Sequence, residues 1–120
     1  METKYKYTIP QIPPSNNRFI GRTNYREYQR IKKEWERLIA LVCRPKPDKP
    51  IEKAVVKITY YFPDRRRRDP DNYSGKIVLD GLVKAGILMD DSFFNIQLLL
   101  EGDWDKDRPR TVMEIREERK

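Results

Sequence analysis

The stretch AVVKITYYF at residues 54–62 sets Val56, Ile58, Tyr60 and Phe62 on one side of an extended chain, with Val55, Lys57, Thr59 and Tyr61 on the other. A strand this apolar on both sides belongs inside a sheet with neighbours to cover it, so the sequence predicts a central, largely buried strand. A chain of 120 residues has room for one such core, with roughly two thirds of the unfolded surface removed from water. The expectation is a single domain spanning residues 1–120.

The remaining elements follow from periodicity. Tyr5, Tyr7 and Ile9 alternate with Lys4, Lys6 and Thr8 as a short strand ending at Pro10. QIPPSNNR then reads as a structured loop. Over residues 25–43, Tyr28, Ile31, Trp35, Leu38, Ile39 and Val42 recur at helical spacing, with Asn24 as the N-cap. The prolines of RPKPDKP stop that helix and make an extended connector. A second helix over residues 74–85 aligns Ile77, Val78, Leu82 and Ala85, capped at its start by Asn72 and at its end by a left-handed Gly86. Phe94, Ile96, Leu98 and Leu100 alternate as a third strand, GDWDKDRPR forms a polar turn, and Met113 and Ile115 belong to a fourth strand. The order β-α-β-α-β-β predicts an α/β (α+β) domain, one mixed sheet with two packed helices.

Charge and composition narrow the chemistry. Lysine and arginine number 26 against 19 acidic residues, a net charge of +7, which favours polyanions and above all nucleic acid. The single Cys43 excludes an intrachain disulfide and a cysteine-based zinc site, and its apolar helical setting marks it as core. No apolar run is long enough for a bilayer and the N-terminus lacks a signal-peptide core, so the expectation is a soluble cytoplasmic protein without a membrane partner. There is no histidine, which removes the side chain best suited to proton transfer near neutrality and leaves carboxylates, lysine or a metal.

The densest chemical signal is DRRRRDPDN at residues 64–72, directly after the central strand. Pro70 disfavours helix at Asp69, so the sequence predicts extended backbone in which Asp69 and Asp71 point to one side, close enough to share a cation. Asp90 and Asp91 follow the second helix, and the two loops are expected to meet beside adjacent strand ends. Carboxylates gathered without histidine or cysteine make an all-oxygen site suited to Mg2+, with Mn2+ as a substitute. Such an ion supplies a nucleophilic hydroxide without a histidine base. Lys76 is positioned to meet the scissile phosphate, and Arg65, Arg66, Arg67 and Arg68, with Arg18, are DNA-binding candidates. Asp80, four residues after Lys76, is expected to pair with it on one helix face.

Taken together, PPSNNR at 13–18, PDRRRRDPDN at 63–72, LDGLVKAG at 79–86 and the acidic pair at 90 and 91 resemble the RusA family of Holliday-junction resolvases. The resemblance implies a homodimer acting on branched DNA, the four-way junction, by paired symmetric nicks in recombination and repair. It implies catalytic roles for Asp69, Asp71 and Asp91, with Asp90 as a fourth acidic member of the metal site, and it matches Lys76 to the family's essential lysine. In one spacing the chain departs: four residues, 72–75, separate Asp71 from Lys76 where the resemblance implies three. Gly75 can absorb the extra residue at the helix start.

Two other readings stay open on sequence alone. One is a noncatalytic basic DNA-binding module whose aspartates only cap turns, and the other a nuclease acting on different branched nucleic acids. Metal-dependent nicking separates the first from an enzyme, and a substrate panel separates the second.

Overall fold

The computed structural model describes residues 5–16 and 25–118. The elements, in chain order, are β1 (Tyr5–Ile9), α1 (Tyr25–Val42), β2 (Ala54–Phe62), a short 3-10 turn (Pro70–Asn72), α2 (Lys76–Lys84), β3 (Ile96–Trp104) and β4 (Arg110–Glu117). The expected order and the mixed sheet are both found: four strands lie in the order β1-β4-β2-β3, with β2 parallel to β3 and antiparallel to β4, and β1 antiparallel to β4.

Central β2 is hydrogen-bonded on both sides, and seven of its nine residues are buried. Register aligns Tyr7 with Met113, Met113 with Ile58 and Ile58 with Leu100, so one row of side chains runs across all four strands. That inner face meets Ile31, Trp35 and Ile39 of α1 and Ile77, Val78 and Leu82 of α2 in one hydrophobic cluster, which Cys43 joins at the end of α1. The two helices touch closely at Gly81, where a Cβ would come within 2.4 Å of Ile39 Cδ1. The proline-rich connector is tied down by the Tyr7 hydroxyl, which donates to the Pro45 carbonyl at 2.6 Å.

Several boundaries differ from the sequence expectation. α2 begins at Lys76 rather than residue 74, because Gly75 takes a left-handed φ of 87° directly before it. Asn72 therefore belongs to the 3-10 turn, and Gly75 holds the cap position. Gly86 does adopt the left-handed conformation expected of it, with φ 79°. Phe94 precedes β3 instead of opening it, held off the ladder by a turn in which the Ser92 hydroxyl donates to Asn95 Oδ1 and the Asn95 and Ile96 amides donate to the Ser92 carbonyl. At the far end, Gly102, Asp103 and Trp104 are strand rather than turn, paired with Tyr60, Tyr61 and Phe62. The helix cap expected at Asn24 falls outside the described residues.

Candidate functional site

The chain leaves β2 at Phe62 and enters the arginine loop, whose four arginines have different surroundings. Arg68 turns back: its Nη1 donates to Asp64 Oδ1 at 2.8 Å and to the Arg66 carbonyl at 3.2 Å, and its guanidinium lies 4.4 Å from the Phe62 ring centre. Arg65 lies over Trp104 at 5.2 Å. Arg66 and Arg67 project into water, their side chains 78% and 88% exposed, with long contacts to Asp64 and Asp69. The hydrogen bond from Arg68, followed by that from the Arg66 amide, holds the Asp64 carboxyl below its ordinary pKa. Arg18 falls outside the described residues.

Asp69 is extended, at φ −100° and ψ 142°, as the following proline requires. The extended backbone expected through Asp71 is not found, because Pro70 opens a 3-10 turn and Asp71 sits inside it. Proline suits the first position of such a turn, where its missing amide costs nothing. Asp69 Oδ1 accepts from Arg67 Nε at 3.2 Å. Asn16, from the PPSNN segment, donates to the Asp71 carbonyl at 3.1 Å and to Ser74 Oγ at 3.2 Å. Sequence reasoning missed this bridge across more than fifty residues; its one sequence sign is that Asn16 belongs to the PPSNN motif.

Lys76 opens α2, exposed, with Nζ 3.4 Å from Asp80 Oδ2, so the pair expected one turn apart is present. Lys32 of α1 approaches the same oxygen at 3.8 Å. The charge of Asp80 raises the Lys76 pKa, with smaller contributions that include Asp91. Asp91 thus stands within electrostatic reach of Lys76, although its loop does not leave the sheet beside the acidic turn. Because β2 and β3 are parallel, Asp69 and Asp71 follow the end of one strand while Asp90 and Asp91 precede the start of the other. The loops leave opposite ends of the strand pair, and α2 spans the interval. Among the described residues, no group of three acidic side chains is close enough within the single chain to hold a metal ion. Asp90 Oδ1 accepts from the Asp91 amide at 2.8 Å.

Two apolar features border these residues. Phe93 and Phe94, next to the acidic pair, are 100% and 90% exposed. A cavity lined by Tyr60, Phe62, Tyr73 and Gly102 opens beside Arg68 and Asp69. Neither was legible as a site feature, since alternating aromatics read simply as core.

As a class, this is a small basic α+β domain whose arginine loop and first acidic turn lead directly into a helix start, an arrangement suited to holding phosphates. No family model matches the chain. Curated relatives do: the crossover junction endodeoxyribonuclease RusA of Escherichia coli K12, the protein of that name from Shigella sonnei and that of Enterobacteria phage 82 are each 38% identical over 100 residues, covering 73% of this chain and 74% of the relative. The chain belongs to the RusA family of crossover junction endodeoxyribonucleases.

Proposed function

We propose that the chain is a magnesium-dependent endodeoxyribonuclease that resolves four-way DNA junctions by paired nicks. The observation that carries this reading is one continuous arrangement: Arg66 and Arg67 turned to solvent, then Asp69 and Asp71, then Lys76 at the head of α2. Kinship with crossover junction endodeoxyribonucleases supports it.

In this reading Arg66 and Arg67 hold phosphates flanking the cut, and Arg68, locked to Asp64, fixes the loop from which they project. Asp69 and Asp71 are the residues that would hold Mg2+ or Mn2+, their carboxylate oxygens suiting such a hard cation, and Asp91 and Asp90, whose loop leaves the other end of the strand pair, would complete the set only when brought to that turn. When bound, the ion supplies Lewis-acid polarisation of a phosphoryl oxygen and an activated water. Lys76, kept protonated by Asp80, offers positive charge to the scissile phosphate.

Two cuts on opposing strands require two sites, and a C2 homodimer supplies them. The sheet offers a surface for the second copy at β3, whose nine-residue outer edge has no strand partner among the described residues. Ile96, Leu98 and Leu100 are only partly buried there, and Leu99 is exposed beside them. A long apolar edge is open to pairing with another chain. Sedimentation of the wild type and of Leu99→Arg, at the exposed position of this strand, tests this, with a dimer expected for the first and a monomer for the second. No helix among the described residues is long and apolar enough to cross a membrane, and we propose a cytoplasmic setting.

The direct test offers a four-way junction, a flap, a replication fork and linear duplex under matched salt, with and without magnesium. Preferential nicking of the junction, only with magnesium, is expected. Binding without nicking would instead identify a basic DNA-binding module, and preference for the flap or fork would replace the substrate.

A further inference from the structure

The apolar stripe of α1, formed by Ile31, Trp35 and Ile39, is turned into the core. Lys32 lies beside that stripe, half-buried, and reaches across to the other helix: its Nζ comes within 3.8 Å of Asp80 Oδ2. Lys76 Nζ lies 3.4 Å from the same oxygen. Two ammonium groups from different helices thus converge on one carboxylate oxygen, and they stand no further apart than those two distances laid end to end. Tyr28, one turn earlier on α1, is also within electrostatic reach of Lys76, so this part of α1 lies against the head of α2.

The charges of the cluster do not balance. Asp80 carries one negative charge, and among the described residues it is the one acidic group in ion-pair contact with either lysine. Fastening α2 to α1 needs a single lysine; a second adds repulsion between like charges at close range. The carboxylate is also the most covered member, its side chain 20% exposed against 32% for Lys32 and 64% for Lys76. The anion is therefore shielded while both cations remain open to solvent, with one positive charge in excess. Lys76 follows the turn of Asp69 and Asp71 and feels the charge of Asp91, which sets this excess charge beside the acidic groups read above as hydrolytic.

We propose that Lys32 is a DNA-binding residue of this nuclease, holding the phosphate next to the one that faces Lys76 on the strand being cut. The spacing of the two ammonium groups takes in neighbouring phosphates of one strand, and Asp80 keeps both side chains in place between substrates. An ammonium group gives a phosphate oxygen a charge-assisted hydrogen bond, and each phosphate neutralised releases condensed counterions. Such a contact carries no base information. Lys32 would add affinity and fix the register of the strand over the acidic turn, and α1 would supply function as well as core.

The inference rests on the nuclease reading, and the test keeps the two apart. Affinity for a labelled four-way junction is measured across a salt series without magnesium, and kcat and KM with it. The proteins are the full-length wild type, Lys32→Gln, Lys32→Arg, Lys33→Gln, Asp80→Asn and Lys32→Gln combined with Asp80→Asn, with folding checked by circular dichroism. Lys33 is exposed on α1, so Lys33→Gln removes the same charge away from the cluster. Lys32→Gln should bind about tenfold more weakly at low salt, the scale of one charge-assisted hydrogen bond. Its salt slope should fall by about one, and the loss should appear in KM rather than kcat. Lys32→Arg should recover most of the affinity, and Lys33→Gln should match the wild type. The loss from Lys32→Gln should persist in the Asp80→Asn background, because a direct contact does not pass through that carboxylate. An unchanged salt slope, or an effect that vanishes once Asp80 is replaced, overturns the contact and leaves the nuclease reading standing. A wild type that binds the junction but never nicks it overturns the nuclease reading, and the salt slopes then still decide whether Lys32 meets phosphate.

Discussion

Arg68 Nη1 lies 2.8 Å from Asp64 Oδ1, and this one pair folds the arginine loop back on the end of β2. The pair predicts a pH dependence. Asp64 has a lowered pKa in the folded chain, chiefly through the Arg68 hydrogen bond. Its contribution to stability is therefore present above the unfolded value, about 3.9, and is lost as pH falls through the folded one. Thermal unfolding of wild type and Asp64→Asn should differ at neutral pH and converge as pH falls below about 4. A difference that grows on acidification would reverse the assignment.

Arg66 and Arg67, by contrast, are largely free of packing. Replacing both with alanine should leave the unfolding temperature near that of wild type and weaken binding to all DNA. The slope of log affinity against log salt should fall by roughly one for each phosphate that is no longer neutralised. An unchanged slope would move DNA away from this loop.

Much of the fold was legible because the chain repeats its instructions. In β2 both strand faces are apolar, and in α1 Ile31, Trp35 and Ile39 mark one stripe, all three of them buried. Sequence and structure part where a local pattern meets a longer-range demand. Phe94 continues the alternation of β3, but the Ser92–Asn95 turn keeps it out of the strand. Residues 102–104 look like a polar turn, yet β2 is nine residues long and its outer half needs partners, which they provide. The rule for Pro70 holds at Asp69 and fails beyond it, since a proline that forbids helix before itself can begin one.

The candidate site was legible as a set of residue types, and less so as a geometry. Spacing gave the Lys76–Asp80 pair, because both lie on one helix. Spacing could not show that Asp71 is held by Asn16, or that the two acidic loops leave opposite ends of a parallel strand pair. Nor could four identical letters show that Arg68 packs on Phe62 while Arg67 faces water.

Asp80 should act as a positioning residue for Lys76. Asp80→Asn is expected to lower kcat roughly tenfold, as for partners that orient a site's reacting groups, with KM little changed. Stability should move by only about 0.5 kcal/mol, the scale of an exposed pair one turn apart. Asp80→Glu should recover part of the rate. If KM alone rises, Asp80 serves substrate binding instead.

The helix contact gives a prediction independent of function. A methyl group on Gly81 would approach Ile39 Cδ1 to 2.4 Å, so Gly81→Ala should cost about 1–3 kcal/mol through overpacking. Adding Ile39→Val removes the clashing carbon and should restore part of that stability, visible as coupling in a double-mutant cycle. Strictly additive effects would show that the helices pack elsewhere.

In the proposed mechanism the acidic turn after the arginine loop performs metal-dependent hydrolysis at a DNA branch. Its sharpest test is magnesium-dependent nicking of a labelled four-way junction by wild type and Asp71→Asn, with gel-shift affinity measured on the same preparations. Asp71→Asn removes a charge with little change of shape. It should bind the junction with near wild-type affinity and leave it uncut, while the wild type makes paired nicks. Wild-type turnover by Asp71→Asn in the presence of magnesium would remove Asp71 from the hydrolysis.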